Sequence, residues 1–236
     1  MNFLFFAGEL LVFIFLLFWL VLLPGLFLLT KTVNILSKLE KIVLAASLGT
    51  VVFTVLLYIF GLLGNVYVVY LLITLFNVYN LRNNLTSINK SLFIGFVSIL
   101  KKYKGSILIL TLSIIFSGSL LFLSGWETPM GLLFTEYRDA FWHLGLMKEL
   151  VRAIPPLHPG FAPEPLTNYH FFTHLFGAGF LLLPIFNQLD FYFRLFPFFL
   201  VSLYAFNLFI VGRLLTQSRL GGNLSVLFGL FTGSFA

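Results

Sequence analysis

Long runs of apolar side chains constrain the fold of this chain more than any other feature. Residues 3–29 contain a single ionisable side chain, Glu9, and further apolar runs follow. Crossing a hydrocarbon core roughly 30 Å thick takes about 20 apolar residues, and the crossing segment must satisfy its own backbone hydrogen bonds. The runs do not alternate apolar with polar residues, as the strands of a membrane barrel would. The sequence therefore predicts an all-α protein, a polytopic transmembrane helical bundle.

We expect about six or seven spans, joined by short loops and one long loop. The apolar runs place them at residues 3–29, 42–63, 66–79, 107–124, 169–186, 191–211 and from about 224 onward. Residues 91–100 form a shorter apolar run, expected at the interface or as a half-helix. The chain thus divides into N-terminal spans (1–124), a long loop (125–168) and further spans (169–236). Because the last run has no polar tail, we expect the chain to be the N-terminal piece of a longer protein.

The charges predict how the bundle is oriented. Hydrophobic residues make up 60% of the chain and charged residues 9%, a balance that a water-soluble monomer does not tolerate. Basic residues follow the first and third spans, which places those loops in the cytoplasm by the positive-inside bias. We therefore expect a multi-pass cell-membrane protein with residues 125–168 outside the cytoplasm. Since the basic residues serve orientation, nucleic acid is not an expected partner.

Arg213 and Arg219 conflict with this simple topology. If residues 169–186 and 191–211 both cross, the two arginines lie on the external side. Either one of these segments is re-entrant, or the arginines bind an external anionic ligand.

The ionisable groups gather in the long loop. All four histidines lie between residues 143 and 174, and five of the eight acidic residues lie between 127 and 164. Thr135 can cap an amphipathic helix reaching about Ala153 whose apolar stripe suits the membrane surface. That stripe comprises Tyr137, Phe141, Leu144, Met147 or Lys148, and Val151. Pro155 and Pro156 then stop the helix, and the following prolines favour an extended segment.

Helical spacing predicts several local side-chain pairs. Glu136, Asp139 and His143 would share one strip of the loop helix, Glu149 would pair with Arg152, and Asp190 would pair with Arg194. Asp139 with His143, and His170 with His174, could each present two ligands to Zn²⁺ or Mn²⁺. The alternative is a plain polar loop with aromatic and histidine anchors at the headgroup level. Glu9 is expected at the interface, or as a site candidate if it faces the bundle.

The stretch "RDAFWHLGLMKELVRAIPPLHPGFAPEPLTNYHFFTHLFGAGF" resembles the first external loop and the following span of polytopic glycosyltransferases of the GT-C superfamily. It is particularly similar to large prokaryotic membrane proteins in which an Asp-containing helix leads through Pro-Pro into a Tyr-rich span. The resemblance covers residues 125–215. The chain departs from the pattern in having about four predicted spans before the loop instead of one, and in reading Tyr169-His170-Phe171 where the related family has three tyrosines.

The resemblance implies sugar transfer, at the outer membrane face, from a polyprenyl-phosphate-linked donor to a lipid, protein or glycan acceptor. Asp139 matches the position of the superfamily's loop acid and would be the catalytic base, with Glu136 as its substitute. Expected contacts for the donor and its phosphate are Arg138, His143, Lys148, Arg152, Tyr169 and His170. A divalent metal held by His143 and His174, with Asp139 and His170, is the alternative. A transporter or lipid flippase, and a non-catalytic membrane subunit, are the other functions that the sequence allows.

Overall fold

A computed structural model describes residues 3–30, 36–122, 124–133, 139–161, 164–167 and 169–232. Nearly all of this structure is helical. The helices are α1 (Phe3–Leu16), α2 (Leu23–Thr30), α3 (Lys38–Leu62), α4 (Tyr67–Phe122), α5 (Ala140–Arg152), α6 (Phe172–Leu181), α7 (Gln188–Asp190), α8 (Phe196–Thr216) and α9 (Arg219–Phe231). π-Helical segments connect α1 to α2 (Leu17–Leu22) and α7 to α8 (Phe191–Leu195). Two short antiparallel strands, β1 (Trp126–Thr128) and β2 (Gly131–Leu133), form a hairpin before α5.

Three helices in the described part of the chain are long and apolar enough to cross a membrane. They are Leu4–Leu29, Lys38–Leu62 and Gln188–Thr216. Large apolar side chains such as Leu11, Phe15 and Val51 stay exposed on the first two of them, as expected for surfaces that face lipid. The helical membrane architecture is thus supported, while the predicted count of six or seven spans is not confirmed.

Helix α4 consists of two helices that meet at a kink. Its 56 residues include a non-helical backbone conformation at Tyr103, which separates the part containing the predicted span at 66–79 and the short run at 91–100 from the part containing the predicted span at 107–124. Hydropathy separates these runs because polar residues such as Arg82 and Asn83 interrupt them. Polar residues do not interrupt a helix, however, since they form the same backbone hydrogen bonds.

Helix α6 accounts for part of the difference in span number. The predicted span at 169–186 contains only ten helical residues, which cover about 15 Å, or half of a hydrocarbon core. Helix α6 therefore enters the bundle without crossing it. Helix α8 then runs to the end of the bundle that also contains the start of α3, where Arg213 forms an ion pair with Glu40.

Helix α3 connects two chemically different ends of the bundle. Its first turn carries Glu40, inside a capping box with Ser37. Its last turn carries Gly61, which packs so closely under Ile154 that a Cβ there would lie 2.3 Å from the Ile154 Cδ1 atom. We call the end with Glu40 the basic end. We call the end with Gly61 the loop end, because Ile154 lies two residues after the end of α5. The largest apolar core lies towards the loop end and includes buried side chains of α3, α5 and α6.

Candidate active site

Helix α5 and its N-cap carry four of the predicted site residues: Asp139, His143, Lys148 and Arg152. It begins at Ala140, and Asp139 is its N-cap residue. Asp139 lies one turn before His143, whose N–H donates to the Asp139 carbonyl at 2.9 Å. Thr135, Glu136, Tyr137 and Arg138 lie outside the described residues. The helix ends at Arg152, before Pro155 and Pro156, as predicted.

The apolar side of α5 faces protein. Leu146, Met147 and Leu150 are completely buried, and α5 packs against α6. Leu144 of the predicted stripe is buried as well, whereas Phe141 is exposed. Part of the predicted apolar stripe is therefore covered by protein, since α5 packs against α6. This packing fixes the position of α5 relative to the bundle.

The proline-rich segment after α5 folds back on itself. Leu157 and Pro165 form an isolated antiparallel bridge, and the Leu166 N–H donates to the Pro156 carbonyl at 3.0 Å. Within this turn the His158 N–H donates to the Glu164 carbonyl at 2.8 Å. The expected extended segment is thus a closed loop, which brings Tyr169 and the start of α6 back towards α5.

Two histidines meet where α5 and α6 pack together. The Nε2 atom of His174 lies 2.8 Å from the Nδ1 atom of His143, and the rings stack with centroids 4.8 Å apart. His143 is on the first turn of α5 and His174 on the first turn of α6. The sequence predicted pairs within single helices, but His170 lies before α6 begins and stacks on Tyr169 instead. The observed pair joins two helices.

Burial keeps this imidazole pair neutral. It lowers the pKa of His143 below its ordinary value, although Asp139 opposes the shift. It lowers the pKa of His174 to about 4, with His143 and His170 contributing in the same direction. Nδ1 of His174 is buried and has no hydrogen-bond partner within the described structure. If Nδ1 of His174 carried the proton, its N–H would be buried without an acceptor. We therefore assign the proton to Nε2 of His174, which donates to Nδ1 of His143.

This assignment gives His143 a definite role. Its Nδ1 atom is occupied as an acceptor, so its remaining proton is on Nε2 and it acts outward as a donor. A general base in the same place must therefore be another group. Asp139 is a candidate, because it lies close enough for its charge to act on both His143 and Tyr192.

Aromatic rings surround the histidine pair. Trp142 and Tyr169 meet edge-to-face with centroids 4.5 Å apart, and Tyr169 stacks on His170 at 4.8 Å. Trp142 also contacts His143. Tyr169 is half-buried and His170 is exposed. Aromatic walls with a few fixed polar groups are typical of small-molecule sites.

The predicted cations lie farther along α5. Lys148 is exposed, and Arg152 forms the predicted ion pair with Glu149, at 2.8 Å. At 1.5 Å per residue, Arg152 is about 14 Å along the helix axis from His143. The structure therefore brings together Asp139, His143, Tyr169, His170 and His174, but not Lys148 or Arg152.

Of the predicted metal ligands, the structure leaves two neighbouring imidazoles as candidates. Among the described residues no group of three or more His, Asp or Glu side chains is arranged to hold a metal ion. His143 and His174 instead contact each other directly. Structural zinc takes four protein ligands and catalytic zinc usually three, so this pair alone does not make such a centre.

A buried polar cluster at the loop end was largely missed by sequence reasoning. Glu9 is only 2% exposed, so it faces the bundle, which is the case in which the sequence makes it a site candidate. Its Oε1 atom accepts the Asn187 N–H, and its Oε2 atom has no hydrogen-bond partner in the described structure. Asp190 forms the predicted ion pair with Arg194, whose guanidinium also donates to the Ser124 carbonyl at 3.1 Å. A single acid in a uniformly apolar run gives no signal of which way it faces.

Comparison with known proteins adds no further constraint. No family model, curated protein or solved structure matches this chain.

Proposed function

We propose that the protein is a membrane glycosyltransferase that moves a sugar from a polyprenyl-phosphate-linked donor to a hydroxyl acceptor at the loop end of the bundle. One observation carries the proposal: Asp139 occupies the N-cap position of α5, but its side chain makes no capping hydrogen bond. An aspartate at this position normally accepts a hydrogen bond from a backbone N–H of the first turn. The exposed carboxylate of Asp139 is instead available to a ligand.

The proposed sugar transfer requires a group that can accept a proton, as a carboxylate does. The acceptor oxygen forms a bond to the anomeric carbon while the bond to the lipid phosphate breaks, and the phosphate takes the electron pair. A positioned carboxylate accepts the acceptor's hydroxyl proton, which accelerates such steps by about 10²–10⁴-fold. Asp139 has this role in the proposal, and the outward N–H of His143 is a donor for the sugar or the departing phosphate.

The surroundings of Asp139 suit a sugar on a lipid carrier. The rings of Trp142 and Tyr169 offer apolar faces to the C–H side of a pyranose, and His170 is exposed beside them. A polyprenyl chain needs lipid next to the site, and the bundle has three apolar helices long enough to border it. We extend the proposal to orientation: the loop end faces outward and the basic end faces the cytoplasm.

Asp139→Asn in the full chain tests the proposal. Membranes containing each variant are supplied with polyprenyl-phosphate hexoses and pentoses carrying a radiolabelled sugar, and transfer to endogenous acceptors is measured. We expect Asp139→Asn to lose about 100-fold or more of the activity. Glu164→Gln is the matched control, because it removes an exposed carboxylate from the same loop. Unchanged transfer by Asp139→Asn, at normal expression, would exclude Asp139 as the base.

The buried cluster favours a second candidate, transport or lipid flipping. Glu9, Asp190 and Arg194 are buried within two of the apolar helices, and intramembrane ionisable residues often line transport pathways. Glu9→Gln distinguishes the candidates, since it removes the charge but keeps an acceptor for the Asn187 N–H. A transporter loses flux of its substrate in this variant, whereas the glycosyltransferase retains sugar transfer.

A further inference from the structure

The basic end of the bundle carries positive charges around one buried tyrosine. Tyr103 is only 3% exposed, at the non-helical point of α4. Lys102 Nζ and Arg219 Cζ lie 5.4 and 5.3 Å from the centre of its ring. Arg213 donates to the Tyr103 hydroxyl at 2.9 Å. Three helices, α4, α8 and α9, therefore bring cations to the same ring.

Among the residues that the structure describes, most of this charge has no acidic partner. Glu40 forms an ion pair with Arg213, and this is the only ion pair at this end within the described part of the chain. Lys101, Lys102, Lys104 and Arg219 are exposed. Two cavities lie among them. One, of about 340 Å³, is lined by Lys102, Arg213 and Arg219, and the other, of about 450 Å³, is lined by Lys101, Lys102, Lys104 and Arg219. An anion there would be surrounded by several donors.

An apolar cavity adjoins these cationic ones. It has a volume of about 350 Å³, lies between α3, α4 and α8, and is lined mainly by aliphatic and aromatic side chains. Tyr103 lines all three cavities, and Ser106 lines both the apolar one and the larger cationic one. This volume is in the range of small-molecule sites, about 300–1,000 Å³. An anion site and an alkyl site therefore share a wall.

We propose that the basic end binds an anionic phospholipid, with its phosphate among Lys102, Arg219 and the neighbouring lysines and one acyl chain in the apolar cavity. The charge selects an anionic headgroup, because cationic pockets between membrane helices attract such lipids. The adjoining apolar cavity selects an amphiphile over a soluble anion, which would leave that cavity without a role. The site lies at the opposite end of α3 from Asp139, so it is separate from the proposed sugar transfer.

Lipid titration of the purified full chain tests this site. The protein in a neutral detergent is titrated with phosphatidylglycerol, phosphatidylcholine or glycerol phosphate, and bound lipid is counted by native mass spectrometry. We expect phosphatidylglycerol to be retained and the other two not. Each of Lys102→Gln and Arg219→Gln should weaken retention about five-fold, the value of one basic side chain near an anionic surface. Both side chains are exposed, so neither change threatens folding.

Two further variants distinguish lipid binding in these cavities from a general attraction between basic side chains and anionic lipid. Lys41→Gln removes one positive charge near the start of α3, but Lys41 lines none of the three cavities. This change should leave retention of phosphatidylglycerol within about two-fold of wild type. Ala46→Phe places a ring in the apolar cavity and should abolish retention of phosphatidylglycerol. Equal losses for Lys41→Gln and Lys102→Gln, retention of phosphatidylcholine, or full competition by glycerol phosphate would each overturn the proposal.

Discussion

His174 and His143 are 31 positions apart in the chain, yet their imidazole nitrogens lie 2.8 Å apart. Each belongs to the first turn of its helix, so one hydrogen bond fixes the start of α6 against the start of α5. Asp139 immediately precedes the same turn of α5. The position of the proposed base relative to Tyr169 and His170 therefore depends on this histidine pair.

The histidine pair makes stability depend on pH. The pKa of His174 is lowered from 6.5 to about 4, so the unfolded chain takes up a proton before the folded one does as pH falls. The stabilising contribution of neutral His174 is complete above pH 6.5 and is lost as pH falls from 6.5 towards 4. We expect the Tm of the detergent-solubilised protein to drop across this interval.

Two variants isolate the contribution of His174. His174→Gln should lower Tm at pH 7.5 but flatten its decline below pH 6.5. His158→Gln, which removes a histidine from the proline-rich loop, should leave the wild-type slope unchanged. Parallel curves for wild type and His174→Gln would contradict the prediction.

Close backbone packing between the first span and α3 gives a second prediction. A Cβ at Gly49 would lie 1.9 Å from the Val21 carbonyl oxygen, and one at Gly25 would lie 2.0 Å from that of Ala45. Small residues allow membrane helices to approach this closely. Because the obstacle is backbone, Gly49→Ala should destabilise the protein by about 1–3 kcal/mol, as overpacking does. Gly8→Ala, in α1 with no atom within 4 Å of the new methyl group, should be neutral or stabilising in the same unfolding assay.

Features that depend on a few neighbouring residues were predictable from the sequence. Pro155 and Pro156 ended α5 where expected, and the pairs Glu149–Arg152 and Asp190–Arg194 formed at helical spacing. Both pairs depend on the spacing of residues along a helix, which can be read directly from the sequence. The apolar runs likewise predicted membrane-spanning helices.

Features that depend on packing between distant segments were not predictable. Hydropathy identifies residues 169–186 as one apolar run. A hydropathy profile does not show where the backbone within such a run stops being helical. The burial of Glu9 depends on Asn187, 178 positions away, and the partner of His143 depends on how α6 packs on α5. The resemblance to the glycosyltransferases implies Asp139 as the base, whereas its missing capping bond is visible only in the structure.

The ion pair between Glu40 and Arg213 should contribute more to stability than an exposed pair does. Both side chains are largely buried, and removing one partner of a buried pair leaves an uncompensated charge. We expect Glu40→Gln to cost about 3 kcal/mol of unfolding free energy, and Glu40→Gln with Arg213→Gln together to cost less than the sum of the two single changes. Glu149→Gln breaks the exposed pair with Arg152 and should cost under about 1 kcal/mol. Equal costs for Glu40→Gln and Glu149→Gln would contradict this ranking.

Cysteine labelling distinguishes the proposed orientation from the topology with two crossings. The chain has no cysteine, so single substitutions at the exposed residues Thr167, Lys104 and Leu220 give unambiguous signals. Because α6 is too short to cross, Lys104 and Leu220 should lie on the same side of the membrane. We expect an impermeant maleimide to label Thr167→Cys in intact cells, and Lys104→Cys and Leu220→Cys only after lysis. Leu146→Cys, which is completely buried, should stay unlabelled until the protein is denatured. Labelling of Leu220→Cys in intact cells would mean that residues 169–186 do cross.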